Sequence, residues 1–209
     1  EQSFEIRQWS LTTAVGNVLA VHVLWNTSVS ATSAVEVSCP DGGTVRVADE
    51  EMTQQHHLFI TGLLADTVCN FVVSGSDFEG HQSFLRVDYE VPPLPDFLPD
   101  LTLQQGDPQR MQPGWTLFNL TNSFDKPPLL IVVVDEVGRY RWYHRRAVQD
   151  PGSDTDVRLV DEGILVGGTH GSIWPALIDW QGAVLWEKSI VMHHDLRPSP
   201  NLGRWLLLT

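Results

Sequence analysis

Apolar residues along this chain recur at every second position in short runs. They seldom fall at spacings of three, four and seven over more than two turns. Alternation of this kind turns one face of a strand inward and the other outward. The runs "NVLAVHVLW" (17–25), "SAVEVSC" (33–39), "HLFITGL" (57–63), "VCNFVVSG" (68–75) and "QSFLRVDYEV" (82–91) read as strands, set apart by Gly, Pro, Asn and Asp. Together they predict a β-sandwich over residues 1–91. "VPPLPDFLPD" (91–100) then carries four prolines, so 92–100 reads as a stiff, extended linker. Beyond it the runs are again strand-sized, the longest being "PPLLIVVV" at 127–134. The expected class is all-β.

Composition narrows the function classes. The chain has 209 residues and is 42% apolar, enough for a packed core. Its 26 acids against 13 bases give a net charge of −13. A surface of that sign repels phosphate backbones and anionic lipid, so neither nucleic acid nor a membrane surface is an expected partner. No apolar run approaches the roughly 20 residues of a spanning helix, so no membrane insertion is expected. The chain opens at Glu1 without a methionine, which leads us to expect that an upstream segment such as a signal peptide is removed. Asn26-Thr-Ser and Asn119-Leu-Thr are N-glycosylation acceptors if the route is a eukaryotic secretory one. Cys39 and Cys69, the two cysteines, allow a single pairing. Gly-rich phosphate loops, Cys/His zinc spacings and Gly-x-Ser-x-Gly elbows are absent from the sequence.

Residues 4–91 resemble a fibronectin type III domain. Trp25 ends the second strand where that family keeps a core tryptophan, and "HLFITGLLADTVCNFVVSGSDFEG" follows the family's late-strand pattern. The departure is Cys69, which occupies the place of the tyrosine whose hydroxyl anchors the family's corner. The resemblance therefore implies that the corner is held by a Cys39–Cys69 bridge, the alternative being two buried thiols. A bridge implies an oxidising compartment, secreted, periplasmic or extracellular.

Beyond the linker the chain repeats itself. Asp135, Gly138 and Trp142 return as Asp179, Gly182 and Trp186, each 44 residues later. Asp-x-x-Gly between apolar runs makes a tight hairpin, with Gly in the left-handed position. The tryptophan four residues on sits on the returning strand, where it can wedge between sheets. A second echo sets "TDVRLVDEGILVGG" (155–168) against "HDLRPSPNLGRWLLLT" (194–209), with Asp156 and Arg158 answering Asp195 and Arg197. A period near 40–45 with several short strands predicts β-propeller blades over 101–209. The alternative is a meander whose Asp-x-x-Gly turns coincide by chance. The span supplies one short blade, one full blade and the opening hairpin of a third, whereas a ring needs at least four. The remainder of the propeller is thus expected in cis, past Thr209, or from a second chain.

The opening strand of a blade lines the central channel, so "HHDLRP" is expected to start at the channel mouth. Alternation lets only one of His193 and His194 face that channel, and prevents the two from chelating one metal ion. These hairpins followed by "HHDLRPSPNLGRWLLL" resemble the PAPS-independent arylsulfate sulfotransferases, over roughly 101–209. The resemblance implies an extracytoplasmic enzyme with a β-sandwich ahead of a six-bladed propeller. Such enzymes move a sulfuryl group from a phenolic sulfate ester to a phenol acceptor through a sulfated histidine, without a cofactor. It further implies catalytic roles for His193, His194 and Arg197; the structural alternative, favoured for Arg197, is that Arg197 pairs with Asp195, and that both histidines satisfy loop carbonyls while Asp195 caps a turn. The family's Pro-Asn-Gly-Asn is altered here to Pro200-Asn201-Leu202-Gly203-Arg204. The other function these folds serve is a non-catalytic extracellular adhesion or assembly protein. His170 reads as a turn residue, and His56–His57 as surface positions entering a sandwich strand.

Overall fold

The computed structural model describes residues 4–104, 112–120, 129–146, 155–168, 174–190, 196–199 and 204–207. Every regular element among them is a β-strand. The chain divides into two compact units. One comprises Glu1–Thr102 with Tyr140–Trp142, and the other Leu103–Arg139 with Tyr143–Thr209.

The first unit holds β1 (Ile6–Ala14), β2 (Asn17–Cys39), β3 (Gly43–Thr61), β4 (Val68–Ser76) and β5 (Gln82–Glu90). β2 and β3 are each long enough to serve two faces of a sandwich. The first half of β2 pairs with β1 and with the second half of β3; its second half pairs with β4 and with the first half of β3. β4 in turn pairs with β5. One face thus has three strands and the other four, the partition expected of a fibronectin-like sandwich.

The runs 17–25 and 33–39, expected as separate strands, are one element. Trp25 lies inside β2 rather than at its end. The physical reason is parity. Leu19, Val21, Val23, Trp25, Val35 and Val37 all occupy odd positions and all are buried. No turn is therefore needed between the halves. The small residues of "TSVSATS" absorb the bend, with register shifts on either side of Ala31.

Past residue 103 the chain forms a three-stranded sheet, β6 (Thr116–Leu120), β7 (Leu129–Val134) and β8 (Tyr140–Arg146), of which all but Tyr140–Trp142 belongs to the second unit. A four-stranded antiparallel meander follows: β9 (Thr155–Val160), β10 (Gly163–Gly168), β11 (Ala176–Ile178) and β12 (Val184–Glu187). β13 (Leu196–Ser199) and β14 (Arg204–Leu207) form an antiparallel pair. These are propeller-like blades of three, four and two strands. β7 is buried at all six positions, as its unbroken apolar run requires. The two echoed tryptophans differ: Trp142 is 1% exposed, while Trp186, expected as a buried wedge, is half-buried on the outer strand β12.

The Asp-x-x-Gly hairpins form as expected, and their geometry recurs in detail. Asp135 Oδ1 accepts from the amides of Val137 and Arg139 at 3.1 and 2.9 Å. Asp179 Oδ1 accepts from Gln181 and Ala183 at 2.9 and 2.8 Å. Gly138 and Gly182 sit at φ 85° and 88°. The sandwich hairpin β4–β5 uses the same device: Asp77 Oδ1 accepts from Glu79 and His81 at 3.0 and 2.8 Å, with Gly80 at φ 85°. The motif therefore encodes a three-residue hairpin with a left-handed glycine, whichever sheet it closes.

Candidate functional site

In the second unit, the second sequence echo falls on two antiparallel hairpins, β9–β10 and β13–β14. Asp156 and Arg158, two apart on β9, point to one side of the strand. Arg158 Nε donates to Asp156 Oδ2 at 2.6 Å. Their counterparts are Asp195 and Arg197. Arg197 is exposed on β13, opposite Leu206. His193, His194, Asp195 and His170 lie outside the described residues.

His144, which no motif in the sequence marks, lies against the turn between β11 and β12. A Cβ on Gly182 would stand 3.2 Å from His144 Nδ1, so Gly182 answers both a left-handed φ and a close neighbour. Burial pushes the His144 imidazole below its usual pKa, and Arg146 adds to this while Asp179 opposes it. Arg146 also pairs with Glu187 on β12. No local pattern marks this histidine, because its neighbours come from a hairpin some forty residues away.

The sandwich carries a second group of histidines. His56 and His57, read as surface positions from the sequence, divide by alternation: His56 is buried and His57 exposed. The Thr27 hydroxyl donates to Val29 O at 2.7 Å, so at 3.1 Å it can only accept from His56 Nε2–H. That fixes the tautomer and leaves His56 Nδ1 a bare, buried acceptor with no partner among the described residues. His57 lies on the outward face, where its Nε2 is 2.9 Å from Nδ1 of His22 on β2. The two are diagonal neighbours, since His22 pairs with Phe59 and Leu24 with His57. Burial, and then the charge of His57, hold His22 below the usual histidine pKa.

Cys39 and Cys69 are bonded, with Cα atoms 4.3 Å apart. They continue the β2–β4 register past Ser38↔Asn70, so the bridge crosses adjacent strands. It lies beside the corner, with Thr67 Oγ1 3.6 Å from Cys69 Sγ. There the Thr67 hydroxyl donates to Leu64 O at 2.7 Å, supplying a bond back to the backbone of the kind the family's tyrosine makes. Of the two sequon residues, Asn26 donates from Nδ2 to Gln8 Oε1 at 2.6 Å, and Asn119 is half-buried on β6.

Among the described residues no group of three or more His, Cys, Asp or Glu is arranged to hold a metal, and no helix is long and apolar enough to cross a membrane. The disulfide suits an oxidising compartment. Compared with protein-family models and with curated proteins, the chain matches neither.

Proposed function

We propose that this chain is the N-terminal part of a secreted, arylsulfotransferase-like propeller protein that transfers a sulfuryl group between phenols by way of histidine. The observation that carries the reading is that β13, like β9, is the first strand of an antiparallel hairpin and carries the arginine of the Asp-x-Arg echo. "HHD" runs directly into the opening strand of a blade, which is where a propeller sets residues toward its channel. The disulfide supports an extracytoplasmic location.

The chemistry suits imidazole. A neutral ring nitrogen, from whichever blade supplies the nucleophile, attacks sulfur of the donor ester. An N–S bond forms as the S–O(aryl) bond breaks. A second imidazole gives its proton to the departing phenolate. The acceptor phenol then attacks the N-sulfo group, its oxygen bonding to sulfur as the N–S bond opens and its proton returning to the base. Of His193 and His194, the one facing the channel serves in proton transfer or holds a substrate oxygen. Arg197 stabilises charge on the transferring oxygens.

The test is made on the protein at its native length, with 4-nitrophenyl sulfate as donor and a phenol as acceptor. Sulfated acceptor and acid-labile sulfate on the protein are expected, both reduced when His193 and His194 are changed to Gln. Absence of transfer and of protein-bound sulfate would overturn the proposal and leave the assembly reading.

A further inference from the structure

We propose that His22 and His57 form a two-imidazole site for a divalent transition ion of the copper(II) or nickel(II) class, on the outward face of the three-stranded half of the sandwich. The geometry is specific. His22 Nδ1 and His57 Nε2 stand 2.9 Å apart, carried on neighbouring strands whose pairing runs unbroken from Ala20↔Thr61 to Asn26↔Gln55. Metal–imidazole bonds of about 2.0 Å set two nitrogens about 2.9 Å apart when they occupy cis positions at a right angle, and about 3.3 Å apart at a tetrahedral centre. The observed 2.9 Å is the ordinary N–H···N hydrogen-bond separation and brings both nitrogens within reach of one ion; the choice of copper(II) and nickel(II) rests on the affinity of these ions for imidazole donors.

In the free protein the same pair is joined by a single N–H···N bond. Moving that hydrogen to the far nitrogen of its own ring leaves two bare donors, and both rings then turn so that their lone pairs converge on one ion beside the N···N line. Phe59, whose ring centroid lies 5.1 Å from that of His22, limits the freedom of the His22 ring. Water completes the coordination.

One further feature favours cation capture here. Residues 1–102 hold 14 acids against 3 bases, a field that draws cations toward this unit. The inference is independent of the sulfotransferase reading, since it rests on strands and histidines in the other unit.

Titration of the 209-residue chain with copper(II), nickel(II) and zinc(II), followed by calorimetry and, for copper, by electron paramagnetic resonance, tests it. His22→Gln or His57→Gln is expected to lower copper(II) affinity at least tenfold and to remove nitrogen hyperfine structure, whereas His81→Gln leaves both unchanged. The double variant should bind no more weakly than the weaker single variant, since each ring is useless without the other. Imidazole resonances of His22 and His57 in the unsubstituted protein should broaden first on adding copper(II), a readout that needs no variant to fold. Unchanged affinity in both variants, or broadening confined to other histidines, would overturn the site.

Discussion

The imidazole of His56 stacks on the indole of Trp25 inside the sandwich, with ring centroids 5.0 Å apart and planes inclined by 20°. Among the described residues neither His56 Nδ1 nor Trp25 Nε1 has a hydrogen-bond partner. A proton added at Nδ1 would be a buried charge with no acceptor, and burial accordingly holds His56 below the usual histidine pKa, with Asp49 opposing only in part. The unfolded chain protonates this residue near pH 6.5 while the folded chain does not, so the unfolded state binds more protons. The stabilisation is complete above that pH and is lost as pH falls through the range below it. His22 and His144 act in the same sense. The unfolding midpoint should therefore fall between pH 7.5 and 5.5, and fall less steeply in His56→Gln. Equal slopes would show that His56 is not the group responsible.

Gly163 lies at φ 149° against the backbone of Ile178, and a Cβ there would overlap the Ile178 carbonyl oxygen. Rigid backbone cannot move aside as a side-chain tip can. Gly163→Ala should cost roughly 2–5 kcal/mol, combining left-handed strain with overpacking. Gly16, at φ 82° with open space around it, provides the contrast, and Gly16→Ala should cost about 1–2 kcal/mol. Denaturant unfolding of the two variants measures the difference.

Trp142 and Trp186 hold equivalent places in the 44-residue repeat but not equivalent surroundings. Trp142→Ala should cost about 3–5 kcal/mol because the indole is buried. Trp186→Ala should cost less than half of that, being half-buried on β12. Chemical unfolding followed by circular dichroism ranks them; a larger loss at Trp186 would mean that its strand is covered on both faces.

The bridge between Cys39 and Cys69 closes a separation of 30 residues, for which the chain-entropy account gives about 3–4 kcal/mol. Thiol titration in denaturant should find no free thiol before reduction and two after it. Cys39→Ala/Cys69→Ala should lower the melting temperature of the sandwich transition. Two titratable thiols in the unreduced, freshly purified protein would contradict the bridge.

Much of this architecture is legible in local pattern, and the errors are equally instructive. The hairpins at Asp135 and Asp179 were readable because an Asx carboxylate and a left-handed glycine are satisfied within five residues. The same device at Asp77 shows the limit: the motif specifies a turn, not a blade. β3 was underestimated because its middle, Asp49 to Gln55, offers no apolar alternation, and the element exists through its pairing with β2. Alternation predicts that adjacent histidines on a strand face opposite ways, and at His56–His57 one ring enters the core while the other faces out.

The sequence by itself determined the all-β class, the turns and the inward parity of most strands, because these depend on residues within a few positions of one another. Only the tertiary structure decided that β2 runs unbroken through two faces of the sandwich, that Cys69 faces Cys39 across adjacent strands, and that His22 meets His57. Those relations depend on the register between segments some thirty residues apart. Register is set by the summed packing of whole sheet faces, and no single position carries its signature.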